Sequence, residues 1–117
     1  MGDRYVITSA ECTKGKTPNE ISVLVGDTTL GLANDTTRFF LNVTEIREPP
    51  EYYQIDYDYD YDNDYGHIAV LVLSSPVDLK AHPNIKPACL PTSDTKIDLK
   101  YEEAVLSGWG TVVTVMM

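Results

Sequence analysis

Residues 5–12 read Tyr-Val-Ile-Thr-Ser-Ala-Glu-Cys. Tyr5, Val6, Ile7 and Thr8 are aromatic or β-branched and favour a strand. Ser9, Ala10, Glu11 and Cys12 then make a short turn. A second apolar run, His-Ile-Ala-Val-Leu-Val-Leu at residues 67–73, is nearly continuous, the pattern of a buried strand. Two alternating segments lie between them. Residues 21–26 put Ile21, Val23 and Val25 on one face. Residues 38–46 put Phe39, Leu41 and Val43 on one face and Phe40, Asn42 and Thr44 on the other. Pro49-Pro50 ends that strand, because proline cannot donate to a ladder. Residues 104–107 predict a short strand, Gly108-Trp109-Gly110 a bend and residues 111–117 a last strand, with Trp109 serving packing. The connections are polar or proline-rich: residues 13–20, 27–37, 74–91 and 92–103. Neither a helical period nor an internal repeat is visible. Short strands separated by turn clusters specify an all-β barrel or sandwich.

The chain has 117 residues, enough for one small domain or part of a larger one. A hydrophobic content of 43% allows a modest core. The net charge of −9 and pI near 4.4 repel phosphate backbones and anionic membranes. Nucleic-acid binding and membrane association are therefore not expected, and basic proteins or cations are the natural electrostatic partners. No apolar run is long enough to span a bilayer, and the opening Met-Gly-Asp-Arg-Tyr has no signal-peptide character. Cys12 and Cys89 are too few for a disulfide framework or a metal site. No cofactor or metal is expected. On these features alone the chain describes a soluble intracellular domain.

Four landmarks change that expectation. They are Val6-Ile7-Thr8-Ser9-Ala10-Glu11-Cys12, His67-Ile68-Ala69-Val70-Leu71-Val72-Leu73, Pro87-Ala88-Cys89-Leu90-Pro91 and Ser107-Gly108-Trp109-Gly110-Thr111. In this order they resemble the catalytic-histidine segment, the catalytic-aspartate strand, the linker and the opening of the second barrel in trypsin- and chymotrypsin-like serine proteases. The resemblance implies two antiparallel Greek-key barrels with the active site between them, and a secreted protein. It places residues 1–106 in an incomplete first barrel, interrupted by an acidic Tyr/Asp loop at 48–66. Residues 107–117 would start the second barrel. The implied fold is a partial trypsin-like Greek-key antiparallel barrel holding about four of the first barrel's six strands, with open edges.

Catalysis in that family needs a nucleophile, a base, a carboxylate that orients the base, and an oxyanion hole. By resemblance, Glu11 stands at the histidine position and His67 at the aspartate position. None of the serines at 9, 22, 74, 75, 93 and 107 has a Gly-x-Ser-x-Gly context. A carboxylate with an ordinary pKa near ~4.3 is a poor base for a serine hydroxyl at neutral pH. The chain is expected to be catalytically dead. The exchange is reciprocal, acid for base and base for acid, and the two side chains are expected either to pair or simply to be solvated.

The Tyr/Asp loop alternates from Asp56 to Asp62, and its aspartates would repel one another along one face of a strand. It is expected to be an exposed loop and admits three readings: a solvated insertion, tyrosine sulfation at Tyr57, Tyr59 or Tyr61, or calcium binding. The third lacks the turn that would converge carboxylates on one ion. A calcium loop of the family would fall at residues 27–37, where only Asp27 and Asp35 supply carboxylates. Asn34-Asp35-Thr36 and Asn42-Val43-Thr44 are N-glycosylation sequons, relevant to a secreted chain. Asn34 is expected to be the better acceptor. The resemblance implies that Cys12 and Cys89 pair outside this segment, leaving free thiols or bonds to another chain.

Two function classes follow. One is a non-catalytic protease homologue that binds a basic extracellular protein or another component of a protease cascade. The other is an incomplete segment of a serine-type endopeptidase. An acidic, Tyr-sulfated docking module is a further alternative.

Overall fold

The computed structural model describes residues 2–29, 37–49, 67–92, 103 and 105–110. The strands are β1 (Tyr5–Ser9), β2 (Ser22–Val25), β3 (Phe39–Arg47) and β4 (Ile68–Leu73). A single helical turn, α1 (Ala10–Thr13), follows β1. All pairings are antiparallel and the order across the sheet is β1-β4-β3-β2. Three consecutive strands thus lie side by side while β1 crosses over to pair with β4, which is Greek-key connectivity. This is the partial barrel that the resemblance implied.

β4 is central because its apolar run tolerates neighbours on both edges. Its alternate residues face inward: Ala69, Leu71 and Leu73 are buried, whereas Ile68 is 60% exposed. The register sets Val6 and Ile46 beside Leu71, Val43 beside Leu73, and Val23 beside Leu41, so one face of the sheet carries the core. β3 keeps its expected alternation only to Val43. A bulge at Thr44 sets two residues of β3 against one of β4, and inward facing passes from odd to even positions at Ile46. The Thr44 hydroxyl donates to the Val72 carbonyl at this irregularity (3.2 Å).

Beyond β4 the chain folds back over the inner face. Val77 is buried with Leu41 and Leu73, and Leu79 and Ile85 pack against them. The N-terminal segment is tied to this return. Leu73 N–H donates to the Arg4 carbonyl, Val77 N–H to that of Asp3, and the Arg4 guanidinium to the carbonyls of Leu73 and Ser74. Tyr5, Val6 and Ile7 of β1 and Val25 of β2 line a common apolar cavity of about 300 Å³. The two outermost strands of the sheet reach one cavity because the sheet curls.

Several expectations need adjustment. β1 runs one residue further than expected, and the turn after it is helical: Ser9 keeps extended dihedrals (φ −77°, ψ 133°) and pairs with Ile68. The polar loop at 13–20 contains a 3-10 turn at Pro18–Glu20, where the Thr17 N–H and hydroxyl both donate to the Glu20 carboxylate. Those bonds, the backbone one first, hold the Glu20 carboxyl below its ordinary pKa. Of residues 104–107, Val105, Leu106 and Ser107 form no strand. Val105 and Leu106 are 98% and 99% exposed, and a strand needs a ladder partner for its N–H and C=O groups whatever its apolar pattern. Most of the acidic loop, including Tyr57, Tyr59 and Tyr61, lies outside the described residues, as do Asn34, Asp35 and the last expected strand at 111–117. Among the described residues no helix is long and apolar enough to cross a membrane.

Gly26 carries φ +76°, and a Cβ built on it would stand 2.5 Å from the Thr37 carbonyl oxygen. Gly26→Ala is expected to cost about 1–3 kcal/mol from the backbone conformation alone, with the clash adding to it. The change is read as a fall in the urea midpoint of unfolding. An unchanged midpoint would rule out the close approach of these two segments.

Candidate functional site

The candidate site forms where β1 passes into α1 beside the start of β4. The Ala10 N–H donates to the His67 carbonyl (2.8 Å), which extends the β1–β4 pairing one step beyond Ser9 and Ile68. Ala10 is completely buried, so α1 sits down on the sheet at this point. Glu11 follows Ala10 and His67 precedes Ile68. The two residues singled out in the sequence therefore come to the same end of adjoining strands, and both are exposed.

Thr13 holds the other end of α1. Its side chain is buried, and its hydroxyl bridges the Ala10 carbonyl (3.1 Å) and the Glu48 carboxylate. Glu48 directly follows β3, so α1 is fastened to the exit of β3 as well as to β4. Sequence reasoning missed both residues, since Thr13 was assigned to a surface loop. The available signal was a threonine three residues after Ala10 in a short turn, a spacing at which a hydroxyl commonly bonds back to a carbonyl. The Glu48 partner lies 35 positions away and has no local signature.

Cys12 on α1 and Cys89 in the extended stretch before Pro91 are both exposed free thiols. Asp27 is buried, and its carboxylate accepts from the Thr29 N–H (2.9 Å) and the Arg38 guanidinium (3.1 Å). Arg38, the residue before β3, sets a positive charge against Asp27, a carboxylate of the segment where a calcium loop of the family would fall. Among the described residues no three His, Cys, Asp or Glu side chains converge as metal ligands. Trp109 departs from its expected packing role. It is 61% exposed, and its indole N–H donates to the Thr28 carbonyl (3.2 Å). Glycines stand on either side of it in the sequence.

The outer face of the sheet at this end is mixed. Tyr5 and Ile7 are 40% and 42% exposed, the Arg47 guanidinium stands 5.9 Å from the Tyr5 ring centroid, and Arg47 is also paired with Glu45 (2.8 Å). The hydrogen bond to Glu45, then its charge, keeps the Arg47 pKa above its ordinary value, and the same contact lowers that of Glu45. Both groups are solvent-exposed, so this pair orders side chains more than it stabilises the fold.

The sequence that builds this sheet is similar to known proteins. The family model described as Trypsin matches residues 1–115. The "Inactive serine protease scarface" of Drosophila melanogaster is 28% identical over 111 residues, which cover 94% of this chain and 15% of that protein. The chain therefore spans about one-seventh of the length of that curated relative. With a family match over nearly its whole length and a Greek-key sheet in which β1 pairs with β4, the chain belongs to the trypsin family.

Proposed function

We propose that this chain is part of a non-catalytic serine protease homologue that acts by binding protein outside the cell. The observation that carries the reading is Glu11, on the turn whose Ala10 N–H bonds to the His67 carbonyl. In this reading the histidine and aspartate positions of the catalytic triad are held by Glu11 and His67. The hydrogen bond from Ala10 to His67, which brings Glu11 and His67 to the same end of adjoining strands, supports that assignment. The likeness to a relative named as inactive supports the same conclusion. Residues 1–106 are then the larger part of a first barrel and residues 107–117 the opening of a second. With a net charge of −9, a basic extracellular protein is the favoured partner, and another protease-cascade component is the alternative. Sulfation at Tyr57, Tyr59 or Tyr61 would add to that charge.

The test is active-site labelling of the natural full-length protein with a fluorophosphonate, which phosphonylates an activated serine with loss of fluoride. No labelling at neutral pH is expected. Stoichiometric labelling would overturn the reading and favour a working endopeptidase.

A further inference from the structure

We propose that Thr13 is a positioning residue of the candidate site: its hydroxyl, latched to Glu48, holds the turn that presents Glu11. α1 has four residues and is closed by one backbone bond, from the Lys14 N–H to the Ala10 carbonyl (2.9 Å). Among the described residues the Ser9 side chain adds no cap. A single turn of this kind does not persist on its own, because fixing its backbone costs more than one hydrogen bond returns. What holds it lies outside it. At its start the Ala10 N–H donates to the His67 carbonyl, and Ala10 is buried. At its end the buried Thr13 hydroxyl meets the carboxylate of Glu48, half-buried just after β3. Glu11 and Cys12 stand exposed between these two anchors.

The two acceptors around Thr13 give the latch its character. A hydroxyl carries one proton and two lone pairs. The Ala10 carbonyl already accepts the Lys14 N–H, so the Thr13 proton is available to the Glu48 carboxylate. If the group at position 48 carries a hydrogen of its own, it donates to the Thr13 oxygen, and the Thr13 proton turns to the Ala10 carbonyl, 3.1 Å away. The contact closes in either direction. It therefore needs hydrogen-bonding atoms at positions 13 and 48 and no net charge. Glu11 is thereby offered from a turn that is ordered before any partner arrives, which spares a complex part of the entropy cost of binding. That use of the turn rests on the protein-binding reading above; the latch does not.

Hydrogen exchange of the natural full-length protein, followed by mass spectrometry, tests the latch. Thr13→Val and Glu48→Ala are each expected to speed exchange in the peptide spanning residues 10–16 about tenfold, the loss of roughly one net hydrogen bond. Residues 69–73 are expected to exchange as in the parent. Thr13→Ser and Glu48→Gln keep the bonding atoms and are expected to stay within about twofold of the parent. Glu48 is only half-buried, so Glu48→Ala reports on the latch even where Thr13→Val does not fold. Unchanged exchange over residues 10–16 in Glu48→Ala overturns the latch. Acceleration that spreads equally to residues 69–73 also overturns it, since Thr13 and Glu48 would then support the whole sheet and not one turn. Glu48→Gln exchanging like Glu48→Ala overturns the two-way bond in favour of a charge. Fluorophosphonate labelling of an activated serine would overturn the non-catalytic reading and leave the latch standing.

Discussion

Full-length protein bearing Glu11 is expected to hydrolyse peptide substrates about 10⁴- to 10⁶-fold more slowly than an active trypsin-family enzyme, the deficit that follows from losing the catalytic base. The physical reason is specific to the exchange. The base must take the serine proton and then return it to the leaving amine, and an imidazole does both near neutral pH. A carboxylate is too weak a base to take the serine proton efficiently and so has none to return to the leaving amine. On the proposed assignment, a histidine at the aspartate position also fails to supply the fixed negative charge that orients the base. Glu11→His alone is therefore expected to recover little, and Glu11→His with His67→Asp to recover more than the sum of the single changes, wherever the rest of the protein provides a serine. Ester hydrolysis with burst titration measures this. A natural protein turning over within about 100-fold of an active relative would defeat the non-catalytic reading.

Leu73→Ala is the substitution with the largest expected effect on stability, about 2–5 kcal/mol. Leu73 is 1% exposed, ends the central strand and belongs to the buried cluster with Leu41 and Val77. The buried cluster is small, so there is little adjoining apolar mass to collapse into the space left behind. A whole domain is commonly stable by only about 5–15 kcal/mol, so this one side chain accounts for a large share. Phe40→Ala on the outer face, at 68% exposure, is expected to stay within about 0.5 kcal/mol of the parent. Urea unfolding of both variants makes the comparison. A loss below about 1 kcal/mol for Leu73→Ala would show that the inner face of the sheet is not the core.

Strands are legible in this sequence where alternation is set by burial on one face. Phe39, Leu41 and Val43 show it, and the structure turns them inward as expected. The bulge at Thr44 was not legible, because an extra residue changes phase without changing composition. The expected strand at 104–107 shows the opposite: Val105 and Leu106 are apolar, but a strand exists only with a partner, and residues 105–107 form none. The site shows the same division. Glu11 and His67 stand out because a known pattern holds other letters there, whereas Thr13 and Glu48 belong to no local pattern and meet only through the fold.

The sequence by itself determined the all-β class, the family and the letters at positions 11 and 67, since these depend on side-chain chemistry and short-range periodicity. Tertiary structure alone decided that Ala10 bonds to His67, that Thr13 ties α1 to Glu48, and that Asp27 is neutralised by Arg38. Each of these joins residues between 11 and 57 positions apart, and such contacts form only when the antiparallel register of the whole sheet brings their strands together. The opening stretch supplied a strand and a turn, and its pairing with β4 set Glu11 and His67 at one end of the sheet.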